Sequence, residues 1–156
     1  MQQKRKRIPK DVRIRVFNLG KGHCAYCGCE IEPKEMQVDH YLSFEFGYAI
    51  AAGRGDIDSE DNYLPACRSC NYYKSGMHIE QFRRMIGKWC DILKRDNVTY
   101  KNAVRFGQVI ENQHEQQFYF EKVGIHIPAM DWDKDFREEM HDAYFGRKNE
   151  RYSDKH

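Results

Sequence analysis

Four cysteines form two CxxC pairs, Cys24 with Cys27 (the first knuckle) and Cys67 with Cys70 (the second knuckle). Each pair offers two thiolates from one tight turn, and four tetrahedral sulfurs are a set that structural Zn²⁺ prefers. Such a site leaves no open coordination position, so it ties chain segments together without hydrolysing anything. A redox CxxC would not need a second pair. The spacing predicts a structural zinc site, with Cys29 as a competing but less symmetric ligand.

A second set of polar residues lies between the knuckles and directly after them: Asp39, His40, Asn62 and Asn71. A neutral histidine can accept a proton from water, which makes His40 a candidate general base. Asp39 points to the other side of a predicted strand, and Asn71 begins a predicted helix. One carboxylate and one amide oxygen suit a hard cation such as Mg²⁺ or Mn²⁺, completed by water and a substrate phosphate. Taken singly, these residues are ordinary surface, turn or helix-cap residues.

In this order, the motifs "CAYCG", "VDH", "DNYLPACRSCN" and "NYYKS" resemble the HNH endonuclease family, the ββα-metal nucleases. The resemblance runs from about His23 to Lys74, roughly a third of the chain. It implies an α+β fold, with a small ββα-metal core held by a four-cysteine zinc site and flanked by helices. It also implies an endonuclease that hydrolyses phosphodiester bonds in DNA and leaves a 5′-phosphate.

The same resemblance assigns residue roles. His40 is implied as the general base, while Asp39 and Asn71 are implied to hold one catalytic divalent ion. Asn62, the middle letter of the motif, would brace the loop that carries the histidine, and Lys74 would contact a phosphate. The chain departs from the family where "HYLSFEFG" lacks the usual proline after the histidine, and where the loop before Asn62 is long.

Positive charge is concentrated at the front of the chain, although the formal net charge is only +2. Asp11 is the only acidic residue among the first 23, so a polyanion would meet the N-terminal half. Alone, such a run is more often a solvated arm or an import signal. Beside a nuclease-like site it predicts binding to DNA rather than RNA. The predicted nucleic-acid contacts are Lys4, Arg5, Lys6, Arg7, Arg13 and Lys74.

Apolar periodicity predicts the elements around the site. Spacing of Val12, Val16 and Leu19 indicates a helix over 9–19 that stops at Gly20. Strands are predicted up to His40 and over "NYLPAC", followed by a helix from "CNYYKS". An apolar stripe over 79–93 indicates one amphipathic helix containing a buried Cys90, and "QQFYFEKVGIHI" weakly indicates a strand.

These elements suggest three parts: a basic arm and helix (1–22), the zinc-held nuclease core (23–77) and a helical C-terminal extension (78–156). No apolar run approaches the roughly 18 residues of a membrane span. The cationic start has no apolar segment after it, which predicts the cytoplasm, here of a bacterial or phage-infected cell. The sequence leaves the oligomeric state open, a homodimer included.

Two other functions stay open at this point. A non-catalytic zinc-knuckle module that binds nucleic acid would need the cysteines and the basic arm, but none of Asp39, His40 and Asn71. A protein-interaction domain would use the aromatic-rich region after Asn97, in which we find no recognisable motif.

Overall fold

A computed structural model of the protein describes residues 7–42, 58–112 and 115–127. Within these ranges the chain forms six α-helices and a two-stranded antiparallel sheet, which confirms the predicted α+β class. No helix in the described ranges is long and apolar enough to cross a membrane. The strands are β1 (Gln37–His40) and β2 (Tyr63–Ala66), and the helices are α1 (Lys10–Leu19), α2 (Arg68–Lys74), α3 (Ile79–Gly87), α4 (Trp89–Asp96), α5 (Val98–Arg105) and α6 (Tyr119–Lys122).

The sheet is short, and its second strand is buried throughout. In its register Gln37 lies opposite Ala66, and His40 lies opposite Tyr63. All four residues of β2 are buried. Pro65 has no N–H, but its carbonyl oxygen accepts a hydrogen bond from Ala25 N–H at 2.8 Å, so the first knuckle is attached to β2.

Helix α1 lies against β2 and confirms the predicted helix. Its one fully buried residue, Val16, packs with Met36 and Tyr63 in a small core of its own. Gly20 follows the helix where the backbone passes close to the sheet. A Cβ there would lie 2.5 Å from the carbonyl oxygen of His23 and 2.6 Å from the ring of Pro65. The chain can therefore leave the helix at this point only with a glycine.

The larger core is built from aromatic rings. Phe82 and Phe118 stack with centroids 5.6 Å apart, and Tyr26 meets Phe82 edge-on. Tyr119 N–H and Phe120 N–H donate to the carbonyl oxygens of Tyr26 and Ala25, at 3.0 and 2.7 Å. This core joins residues on both sides of the predicted boundary at residue 77, and the division into 1–22, 23–77 and 78–156 stays a prediction.

The single helix predicted over 79–93 is wrong, because the chain breaks it in two. Helix α3 ends at Gly87 and α4 begins at Trp89. Glycine has a weak helix propensity, and Lys88 N–H turns back to Met85 O at 3.1 Å to close the first helix. After the break Cys90 lies exposed, and not in the core as the continuous stripe predicted.

The strand predicted in "QQFYFEKVGIHI" is also wrong. Residues 119–122 form a helical turn. Phe118 N–H donates to the Glu121 carboxylate at 2.7 Å, and this hydrogen bond stabilises the first turn of a helix. The alternation of apolar residues gave no sign of that local contact.

Candidate functional site

The four predicted zinc ligands come together. The Sγ atoms of Cys24, Cys27, Cys67 and Cys70 all lie within 4.8 Å of one another, and those of Cys27 and Cys67 are 4.0 Å apart. In a tetrahedral site with Zn–S distances of about 2.3 Å the sulfurs are about 3.8 Å apart. The cluster therefore fits a structural zinc ion with little adjustment. Cys29 is not part of it.

Local hydrogen bonds shape both knuckles. Gly28 N–H donates to Cys24 O at 2.9 Å, and Gly28 has a φ of +76°, a backbone conformation that suits glycine. Cys67 precedes α2, and its Sγ accepts a hydrogen bond from Cys70 N–H at 3.3 Å. This contact fixes the Cys67 side chain at the first turn of α2.

The protonation of the cluster also favours a cation. A hydrogen bond with Cys70 lowers the pKa of Cys24 to about 5, and the same contact raises the pKa of Cys70. Burial raises the pKa of Cys27. Metal ligation requires thiolates, and a bound cation would offset the repulsion between neighbouring thiolates.

His40 ends β1, at the opposite end of the sheet from the second knuckle. Its Nε2 lies 2.8 Å from Asp58 Oδ1, and its ring meets Tyr63 edge-on with centroids 4.9 Å apart. Sequence reasoning missed Asp58. The run "GDIDSEDN" contains four acidic residues, and nothing in the run distinguishes the one that reaches the histidine.

Asp39 is buried and surrounded by donors. Its Oδ2 accepts from the hydroxyl of Tyr26 and lies 2.9 Å from Lys74 Nζ. Burial and the nearby carboxylate raise the pKa of Tyr26, so that hydroxyl keeps its proton. Lys74 Nζ also donates to the carbonyl oxygen of His40 at 3.0 Å.

The predicted phosphate contact of Lys74 is therefore corrected. The lysine is 0% exposed and its ammonium is used inside the protein. The physical reason is that a buried carboxylate such as Asp39 is costly unless a cation pairs with it. Lys74 links α2 to β1 instead of reaching a phosphate at the surface.

Asn71 occupies α2 three residues before Lys74, so both lie near the same side of the helix. Because Lys74 contacts Asp39 and the carbonyl of His40, this is the side that faces β1. Asn71 is half-buried there. Asn71 therefore lies about one turn before Lys74 on α2, and its predicted role as an ion ligand stays a prediction.

Asn62 is buried and lies directly before β2. Its Oδ1 accepts from Leu42 N–H at 2.8 Å and its Nδ2 donates to Leu42 O at 3.0 Å. Tyr41 N–H donates to the backbone carbonyl of Asn62 at 2.8 Å. These contacts extend the pairing of β1 and β2 past His40, and they hold the residues that follow the histidine.

The predicted nucleic-acid contacts are only partly within the described residues. Lys4, Arg5 and Lys6 lie outside them. Arg7 is exposed, whereas Arg13 is half-buried and donates to Met36 O at 2.7 Å. A role for Arg7 and Arg13 in binding nucleic acid stays a prediction.

No protein-family model matches the chain, and no curated protein matches it. Among solved structures the chain is similar to the Type II-C Cas9 enzyme from Actinomyces naeslundii, with 27% identity and a TM-score of 0.41. The match covers 54% of this chain and 9% of that enzyme, so it spans a small fraction of a much longer protein.

Proposed function

We propose that this protein is a metal-dependent endonuclease of the HNH type that hydrolyses phosphodiester bonds in DNA. In this proposal His40 is the general base, Asp39 and Asn71 hold one Mg²⁺ or Mn²⁺ ion, and the four cysteines hold Zn²⁺ as a structural ion. A cytoplasmic location suits it, since thiolates stay reduced there.

One observation carries the proposal. Lys74 Nζ contacts both the Asp39 carboxylate and the carbonyl oxygen of His40, at 2.9 and 3.0 Å. The helix that carries Asn71 is thereby fixed against the strand that carries the proposed base and the proposed carboxylate ligand. The four-cysteine cluster lies at the beginning of that helix, and a bound zinc ion would attach this end of α2 to the first knuckle.

The oxygen atoms of Asp39 and Asn71 fit a hard divalent ion. The protein supplies few ligands, so water and the substrate phosphate would complete the coordination. Lys74 already neutralises part of the Asp39 charge, which favours an ion that binds firmly only together with the phosphate. The bound ion would stabilise the negative charge that develops on the departing 3′ oxygen.

The proposed reaction requires a side chain of this protein to act as the general base. His40 accepts a proton from a water molecule, whose oxygen forms a bond to phosphorus as the bond from phosphorus to the 3′ oxygen breaks. The departing 3′ oxygen takes a proton from solvent water, and the products carry a 5′-phosphate and a 3′-hydroxyl. With a single metal ion, the base must be a side chain, and an imidazole meets that need near neutral pH.

Binding in this proposal depends on phosphate contacts made by the basic arm and by Arg7 and Arg13. Such contacts release counterions, so affinity for DNA should fall steeply as salt increases. A non-catalytic zinc-knuckle binder would show the same dependence on salt, so salt dependence does not separate the two functions.

Cleavage separates them. Supercoiled plasmid is incubated with the full chain and Mg²⁺ or Mn²⁺, with and without a chelator, and the ends are sequenced. We expect 5′-phosphate ends, and a loss of about 10²–10⁴-fold for His40→Ala. His126→Ala, an exposed histidine, is the matched control. Zinc content and melting temperature should be equal in all three proteins. A His40→Ala protein that cleaves like the parent would overturn the proposal, as would a parent that binds plasmid without cutting it.

A further inference from the structure

We infer that Asp58 is the positioning residue for His40: its carboxylate holds the N–H of Nε2, which leaves the proton-accepting lone pair on Nδ1. This inference rests on the proposed function for its consequence in catalysis. The contact between the Asp58 and His40 side chains can be tested independently of that function, without a cleavage assay.

The contact has the geometry of a strong hydrogen bond. His40 Nε2 and Asp58 Oδ1 are 2.8 Å apart, and the two side chains are only 15% and 11% exposed. Little water reaches the pair, so the hydrogen bond is stronger than a similar contact at the surface. A residue 18 positions later in the chain therefore restrains the ring of the proposed base.

Tyr63 strengthens this restraint from two directions. Its hydroxyl donates to the same oxygen of Asp58 at 3.2 Å, which fixes the carboxylate. Its ring lies edge-on to the imidazole at 85°, which limits rotation of His40. The Tyr63 side chain faces His40 at this end of the sheet, because Tyr63 is the residue opposite His40 in the register.

The chemistry of the two groups decides the tautomer. An ionised carboxylate only accepts hydrogen bonds, so a nitrogen at this distance from it must carry the proton. A neutral imidazole has a single N–H, and its lone pair is then on the other nitrogen. Nδ1 is consequently the atom that would take the proton from water.

The same turn organises both sides of the histidine. Asp58 lies two residues before the 3₁₀ turn Glu60–Asn62, whose last residue holds the backbone of Leu42. One short segment thus fixes the imidazole through Asp58 and the chain after it through Asn62. Substituting either residue should disturb the histidine, and Asp58 acts directly on its ring nitrogen Nε2.

The first test is spectroscopic and needs no substrate. In ¹H–¹⁵N spectra of the zinc-loaded full chain, the imidazole of His40 is assigned by its absence from His40→Ala. We expect the proton on Nε2 in the parent and a mixture of tautomers in Asp58→Ala. Asp61→Ala, an exposed acidic neighbour, should leave the spectrum unchanged. A proton on Nδ1 in the parent, protons on both nitrogens, or an identical spectrum for Asp58→Ala would each overturn the inference.

The second test is a double-mutant cycle on cleavage. Asp58→Ala should lower kcat about 10- to 100-fold, as loss of a residue that orients a functional histidine does, with little change in KM. In the His40→Ala background the same substitution should have no further effect. An equal loss in that background, or a higher KM with unchanged kcat, would overturn the inference. If the parent does not cleave at all, the proposed function fails, and the spectra alone decide whether Asp58 sets the tautomer.

Discussion

The two ends of the β1–β2 sheet are held together by different means. At the cysteine end, four Sγ atoms converge within 4.8 Å, a set that a single ion can close. At the histidine end, Asp39, His40 and Asn62 are held by hydrogen bonds and one buried ion pair. Helix α2 begins beside the first end and reaches the second through Lys74.

The difference indicates how the two ends depend on each other. Cys27 and Cys67 are separated by 40 positions, so forming the cluster closes a long loop, and a metal ion supplies the free energy that this closure costs. The contacts of the histidine end form only when the sheet is already paired. Loss of the metal should therefore disrupt both ends, whereas a substitution at the histidine end should leave the metal bound.

The largest effect is expected from removing the metal. Chelation, or Cys24→Ser at the most buried ligand, should unfold the region around the two knuckles, because metal binding in such sites contributes on the order of 10 kcal/mol to folding. Circular dichroism and zinc content measure both outcomes. The exposed Cys90→Ser is the control and should melt like the parent. A chelated protein with an unchanged melting curve would mean that the cysteine end needs no ion.

Next in size is the buried ion pair. Lys74→Met leaves the Asp39 carboxylate buried without its cation, which should cost about 3–5 kcal/mol in denaturant unfolding. Asp39→Asn in the Lys74→Met background removes the buried charge, so the double variant should recover most of the lost free energy of unfolding. Zinc content should be unchanged throughout. Lys88→Met, at an exposed lysine, serves as the control. If the double variant is no more stable than Lys74→Met, the Lys74–Asp39 ion pair does not stabilise the histidine end of the sheet.

A smaller effect is expected at Asn62. Alanine there leaves the backbone N–H and carbonyl of Leu42 without these partners, at a cost of about 1–3 kcal/mol. Asn62→Asp can still accept a hydrogen bond from Leu42 N–H but cannot donate one to Leu42 O. Its loss of stability should therefore be intermediate. Urea unfolding compares them with Asn102→Ala, an exposed asparagine on α5. Equal stability of Asn62→Ala and the parent would show that the two hydrogen bonds between the Asn62 side chain and Leu42 do not contribute to stability.

The smallest effect is expected from a glycine substitution in the first knuckle. Gly28→Ala requires a positive φ for alanine and brings a Cβ to 2.8 Å from the ring of Tyr119. We expect a cost of about 1–2 kcal/mol with full zinc content. Gly87→Ala, where a Cβ meets nothing within 4 Å, should be neutral or slightly stabilising. If Gly28→Ala lost zinc, the first knuckle would depend on the packing of Tyr119 as well as on its own turn.

Much of the framework is predictable from local sequence. Paired cysteines predict a metal cluster because only two turns and one ion are needed, and the helix before Gly20 and both strands follow from short-range apolar patterns. The break at Gly87 and the helical turn at 119–122 are not predictable in this way. At Gly87 the hydrogen bond from Lys88 N–H to Met85 O competes with the longer apolar pattern, and at 119–122 the hydrogen bond from Phe118 N–H to the Glu121 carboxylate does so.

The sequence by itself determined which groups are present for chemistry: four thiols in two turns, an imidazole after a carboxylate, and two amides. Only the tertiary structure decided their partners, because burial changes what a charge requires. Lys74 looks like a surface cation in the sequence but is 0% exposed and neutralises Asp39. Asp58, one of four acids in its run, contacts His40, since the pairing of β1 with β2 brings the turn before Tyr63 against the histidine.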